Sequence, residues 1–288
     1  MSHDYAVVDV FADRPLTGNP LAVVTGADDL DEETMAAIAV EFNLSETTFV
    51  TGPTLPGADW RLRSFTPTGD EVAGAGHNAL GAWWWLATSG RAVAPGAVQE
   101  LGGRTLPVHI GMADRVTTIG LDQGPVTLED ASVPVDDLAA ALGAGALEAH
   151  RIGHLVSGSV GSRHLLVPVT SVADVDAARP DSSRLRTLLG DAGAQGCYLY
   201  TTATEDLSTS AHAYARFFNP TVGIVEDPAT GSAAGPLAAY LAGGRTGDLT
   251  ILQGTWMGRP SALQVTVRPD GTTLRGTCAL SATGRLTI

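Results

Sequence analysis

The chain has 288 residues, 44% of them hydrophobic and 17% charged, and 31 acidic against 17 basic side chains leave a net charge of −14. It is too apolar and too lightly charged for a disordered protein, and no apolar run reaches the ~18–20 residues of a membrane-spanning helix. Every basic residue is arginine, which excludes Schiff-base enzymes that need a lysine amine and Walker A loops that need one for phosphate.

No basic stripe interleaves with aromatic residues, so nucleic acid is not an expected partner. The opening residues carry neither a basic region nor an apolar signal core, and a soluble cytoplasmic protein without a membrane association is expected. Cys197 and Cys278 are too few for a disulfide framework or a four-ligand zinc site.

In chain order, Tyr5–Phe11 reads as a strand, Asp13–Pro20 as a turn region carrying Gly18-Asn19-Pro20, and Leu21–Thr25 as a second strand. A helix follows, capped by Asp29 or Asp31 and ending at Asn43, with Met35, Ile38, Ala39 and Phe42 at helical spacing. Ser45–Val50 is a β-type run, and Trp60–Phe65 alternates before Thr66-Pro67. Gly74–Gly90 joins a glycine cluster to a stretch apolar on every side, the pattern of a helix in the middle of a domain. Trp83, Trp84 and Trp85 read there as core filler. Val133–Leu142 reads as a linking helix, and Asp227–Gly244 repeats the design of the first apolar helix.

Aligning the two halves exposes an internal repeat. Phe65-Thr66-Pro67-Thr68 falls on Phe218-Asn219-Pro220-Thr221, Val72 on Val225, Gly74 on Asp227, Gly81 on Ala234, and Glu46–Val50 on Gln195–Leu199. A unit of this length is too long for a solenoid. It predicts an α+β chain of two similarly folded domains, 1–128 and 129–288, each a curved sheet around one apolar helix.

If the N-termini of these helices faced each other across a cleft, their unpaired N–H groups could hold a carboxylate or stabilise an enolate-like charge. Proton abstraction beside a carboxyl group suits such a site. Glu46 is the candidate base if it faces the cleft, and a solvent-facing strand residue if it does not. His77, at the first helix start, either acts there or caps and packs. Asp227 and Ser232 either serve a ligand or stabilise the start of their own helix. The segment 74–81 lacks the spacing of a dinucleotide fingerprint, and Gly231-Ser232-Ala233 lacks the nucleophile elbow. His150 and His154 read as surface residues, and Cys197 and Cys278 as buried core thiols. No metal site is expected.

These blocks carry a family resemblance. VDVFADRPLTGNPLAVV (8–24), EFNLSETTFV (41–50), EDPATGSAAGPLAAYL (226–241), QGTWMGRPS (253–261) and, more loosely, EVAGAGHNALGA (71–82) resemble the PhzF-like, or phenazine-biosynthesis-like, isomerases of the diaminopimelate-epimerase fold. The resemblance implies two pseudo-symmetric domains with the active site between them, no cofactor, and a homodimer. It places the family's proton-moving glutamate on Glu46, its cleft-lining histidine and aspartate on His77 and Asp227, and its substrate-binding Gly-Ser on Gly231-Ser232. Gly76 and Asn19 join these as substrate-binding positions. The implied activity is an isomerisation of a small carboxylic acid similar to that of trans-2,3-dihydro-3-hydroxyanthranilate. Ala73-Gly74 stands where family members usually carry Pro-Phe, and Asn78-Ala79 where they often carry Pro-Thr. Two alternatives stay open: a racemase or epimerase using Glu46 with His77 or Asp227, and a small-acid binding protein without catalysis.

Overall fold

The computed structural model describes residues 2–74, 76–92, 94–144, 147, 152–157, 162–205, 207 and 209–288, with nothing said of the side chains of 130 and 154–157. The chain divides into two compact units, Met1–Asp122 with Arg275–Ile288, and Gln123–Leu274.

The first unit begins with β1 (Ser2–Val10), β2 (Asn19–Thr25), α1 (Glu32–Phe42), β3 (Glu46–Thr51), β4 (Trp60–Phe65), β5 (Glu71–Val72) and α2 (His77–Thr88). It continues through β6 (Gly96–Leu101), β7 (Arg104–Ala113) and β8 (Val116–Gly124), the last of which runs into the second unit. Asp31 caps α1 by accepting from the Thr34 N–H, and Asn43 closes it in the left-handed conformation. Both residues suit these places because their short polar side chains satisfy, or tolerate, what a helix end demands. Apolar residues of α1 pack with Val24, Phe49 and Phe65. Helix α2 buries nearly its whole first half against β1, β2 and β3. A methyl group on Gly81 would lie 2.7 Å from both Val10 Cγ2 and Leu21 Cδ2, so glycine is what lets helix and sheet approach. Of the three tryptophans only Trp83 is wholly buried; Trp84 and Trp85 are half-buried.

The second unit contains β9 (Val126–Asp130), α3 (Val135–Leu142), β10 (Gly153–Ser157), β11 (Arg163–Pro168), α4 (Val172–Ala177), α5 (Ser182–Asp191), β12 (Gly196–Thr201) and β13 (Ala213–Asn219). Then come β14 (Ile224–Asp227), α6 (Gly231–Ala242), β15 (Gly247–Gln253), β16 (Ser261–Arg268) and β17 (Gly271–Gly276), whose end passes back to the first unit. Leu138, Leu142, Leu165, Leu185, Leu189, Leu199 and Phe218 form one core. Helix α3 is therefore part of this unit and not a link, since Leu138, Ala141 and Leu142 are buried in that core. His150 lies outside the described residues and His154 outside the described side chains.

The repeat is visible in the strand pairing. In the first unit β2–β3 and β4–β6 are parallel, and β3–β4, β4–β5 and β6–β7 are antiparallel. The second unit gives the same sequence of partners: β11–β12 and β13–β15 parallel, and β12–β13, β13–β14 and β15–β16 antiparallel. The register differs from the one expected. Thr47 and Cys197 occupy equivalent places, opposite Phe65 and Phe218, so Glu46 corresponds to Gly196. Val72 corresponds to Asp227, opposite Ser64 and Phe217. The bulge between Phe217 and Asn219 and the 3-10 turn Pro220–Val222 account for the extra residues in the second copy. Counted from the helix starts, Gly81 matches Gly235, each the fifth residue of its helix, and not Ala234.

The last strand, β18 (Cys278–Thr287), pairs antiparallel with β1 from Ser2↔Thr287 to Val10↔Cys278. This pairing gives residues 275–288 to the first unit, whereas the sequence places them in the second domain. The other edge between the units falls at 122/123, a few residues before the expected 128/129.

Candidate active site

In the first unit, Glu46 opens β3 and His77 opens α2. Their Oε2 and Nε2 atoms are 2.8 Å apart, with side chains 19% and 8% exposed. A carboxylate and an imidazole held this close and this dry can work as a proton-transfer pair, each within reach of whatever the other loses or gains. The α2 N-terminus has Gly76 as its cap residue with no side-chain cap bond, so first-turn N–H groups point outward without intrahelical acceptors.

Asn78 fixes the entry to that helix. Its Nδ2 donates to Gly74 O at 2.9 Å and Ser64 Oγ at 3.0 Å, and its Oδ1 accepts from Gly76 N at 2.9 Å. Ser64 Oγ is in turn 2.9 Å from Thr48 Oγ1 on β3. A proline side chain at 78 could make none of these bonds, so the departure from the family pattern is a specific clamp holding Gly74 and Gly76 at the start of α2. Asn19 is fully buried at the start of β2, opposite Val10.

In the second unit, Asp227 ends β14 and is buried. Its Oδ2 accepts a short hydrogen bond from Thr230 Oγ1. Thr230 is the N-cap residue of α6 but makes no side-chain cap bond, its hydroxyl being turned to Asp227 instead. Gln253, at the end of β15, holds this loop: its Nε2 donates to Asp227 O at 2.8 Å and Thr230 Oγ1 at 3.0 Å. Its Oε1 accepts from Tyr198 OH at 2.9 Å and Thr230 N at 3.2 Å. Burial, and then the charge of Asp227, push the Tyr198 phenol well above its usual range, so it stays a proton donor to Gln253.

Gly231 and Ser232 are the first residues of α6. Gly231 O accepts from Gln123 Nε2 at 2.8 Å, and Ser232 Oγ is 3.0 Å from Nε2 of His164 on β11. The structure thus brings Glu46 to His77 in one unit, and Asp227 to the start of α6 in the other.

His164, Gln253, Tyr198 and Thr230 had no expected role. Gln253 opens one of the blocks that carry the family resemblance and Thr230 lies inside another, which was the available signal. His164 sits in an apolar strand (RHLLVP) and gave none. Cys197 and Cys278 are buried, as expected, and burial raises both thiols above their ordinary range. Neither lies at the N-terminus of α2 or α6. Among the described residues no three His, Cys, Asp or Glu side chains gather as a metal site, and no helix is long and apolar enough to cross a membrane.

Comparison with known proteins identifies the family. Residues 8–284 match the family model PhzC-PhzF, described as phenazine biosynthesis-like protein. The trans-2,3-dihydro-3-hydroxyanthranilate isomerase of Pseudomonas aeruginosa is 37% identical over 276 residues, covering 91% of this chain and 89% of its own. The crystal structure of a PhzF-family phenazine biosynthesis protein from Bacillus anthracis superposes with a TM-score of 0.90 at 26% identity, covering 100% of both chains. A probable proline racemase from Agrobacterium radiobacter, at 12% identity and a TM-score of 0.66 over 99% of this chain and 93% of its own, shares the fold alone. The chain belongs to the phenazine biosynthesis-like (PhzC-PhzF) family, as an isomerase similar to the trans-2,3-dihydro-3-hydroxyanthranilate isomerase of Pseudomonas aeruginosa.

Proposed function

We propose that this chain isomerises a small carboxylic acid of the dihydro-hydroxyanthranilate kind without a cofactor, with Glu46 as its acid–base residue. The Glu46 carboxylate takes a proton from an activated carbon of the substrate. The electron pair released shifts the double bond, and the same carboxyl group returns a proton to a second carbon, so composition is unchanged. The observation that carries this reading is the half-buried Glu46 carboxylate 2.8 Å from His77 Nε2.

His77 and Asp227 orient polar groups of the substrate and assist the transfer. Backbone N–H groups at Gly76, Gly231 and Ser232 hold the substrate carboxylate, as helix starts do, and Asn19 is assigned to the same binding set. The local positive end of each helix answers how a chain of net charge −14 attracts an acid. A homodimer, a cytoplasmic location and a role in secondary metabolism belong to the same proposal, and sedimentation of the purified chain tests the first.

Proton NMR in D₂O with trans-2,3-dihydro-3-hydroxyanthranilate tests the chemistry. Wild-type protein is expected to form the isomer with deuterium at the carbon that receives the proton, and Glu46→Gln to lose that turnover. An intact, unlabelled compound after incubation with wild type would overturn the substrate. Undiminished turnover by Glu46→Gln would overturn the base.

A further inference from the structure

The Ser232 hydroxyl is 3.0 Å from His164 Nε2, and the state of that histidine decides what the serine can offer a ligand. His164 is 3% exposed and meets the ring of Phe217 edge to face, with centroids 4.9 Å apart. Burial lowers its pKa to about 4, so near neutral pH the ring is uncharged and carries one N–H. Nδ1 is buried with no hydrogen-bond partner among the described residues. A proton there would be a buried donor lacking an acceptor, whereas a proton on Nε2 meets Ser232 Oγ. The tautomer is therefore Nε2–H, and His164 donates to Ser232.

That direction has a consequence for Ser232. With its oxygen receiving the imidazole N–H, its own proton is turned elsewhere, beside the outward-pointing N–H groups of the first turn of α6. The opposite arrangement, serine donating to a bare Nε2, would present only lone pairs to an incoming acid and repel it.

We propose that His164 is a positioning residue for substrate binding: its Nε2–H fixes Ser232 as a hydrogen-bond donor to the substrate carboxylate. This rests on the isomerase reading only in so far as Ser232 binds the acid.

Two measurements test it. In the full chain with ¹⁵N-labelled histidine, two-bond ¹H–¹⁵N correlation at neutral pH should show the His164 ring, assigned by its loss in His164→Gln, protonated at Nε2 and bare at Nδ1. An Nδ1–H tautomer or a doubly protonated ring would overturn the proposal. In steady-state kinetics with trans-2,3-dihydro-3-hydroxyanthranilate, His164→Leu and Ser232→Ala should each raise KM about tenfold, the loss of one hydrogen bond to a charged group, with kcat changed little. The double variant should be no worse than either single one. His164→Gln, whose amide N–H can reach the same oxygen, should recover most of the loss, which a purely structural role would not predict. An unchanged KM in His164→Leu, or additive losses in the double variant, would overturn it. Failure of wild type to turn the compound over would count against the isomerase reading instead, and the tautomer measurement, which needs no turnover, still decides for His164.

Discussion

Glu46 and His77 open different elements, β3 and α2, yet the fold sets Glu46 Oε2 2.8 Å from His77 Nε2. Two secondary-structure starts, each fixed by its own packing, aim these side chains at one point. Glu46→Gln keeps the size and leaves a group that cannot take up a proton. It is expected to lower kcat by roughly 10²–10⁴-fold while the melting temperature stays close to wild type. Steady-state kinetics beside a thermal melt check both halves of this expectation.

Arg216 and Glu226 form a second pair, buried next to Asp227. Arg216 Nε and Nη2 donate to the two Glu226 oxygens, both at 2.8 Å, and Nη1 donates to Val175 O at 3.0 Å and Ala178 O at 2.9 Å. The Arg216 side chain is 3% exposed. Glu226→Ala leaves a buried guanidinium without its counter-charge and is expected to cost about 3–5 kcal/mol in urea unfolding. Replacing both, as Arg216→Met with Glu226→Leu, should cost much less than the single change.

Much of the scaffold was legible because its signals are local. Asp31 and Asn43 cap α1 where they stand, and Trp60–Phe65 forms β4 at the limits that alternation sets. The helix starts were legible only in part: α2 opens at His77, as expected, whereas α6 opens at Gly231, four residues past Asp227. Pairing β18 with β1 joins the two ends of the sequence, and no nearby residue announces it. His164 escaped for the same reason, since a lone histidine in an apolar strand acquires meaning only when Ser232 arrives from a distant helix.

Gly235 shows how tightly α6 is seated. A methyl group there would overlap the side-chain oxygen of Gln123 and come within 3.0 Å of Thr272 Oγ1. Gln123 is the residue whose Nε2 holds Gly231 O, so displacing it also loosens the start of the helix. Gly235→Ala is expected to destabilise the protein by about 1–3 kcal/mol despite the better helix propensity of alanine, and to raise KM because Gly231 and Ser232 shift. Gly190→Ala, at a helix position with nothing within 4 Å of the added methyl group, is the control and should not destabilise. Chemical denaturation of the two variants separates overlap from propensity.

His164 also gives stability a pH dependence whose sign follows from its burial. Its pKa falls from 6.5 to about 4 in the folded protein, so between these values the unfolded chain binds a proton that the folded chain does not. Stability from this residue is therefore full above pH 6.5 and declines as pH falls toward 4. The loss is about 3 kcal/mol in all, since each tenfold weakening of proton affinity on folding is worth ~1.4 kcal/mol. His164→Gln has nothing to protonate and should lose less stability over that interval. Urea unfolding of wild type and His164→Gln at pH 7, 5.5 and 4.5 measures the difference directly. Parallel pH curves would mean that the ring takes up its proton as readily inside the fold as outside it, and would remove the basis for a neutral imidazole beside Ser232.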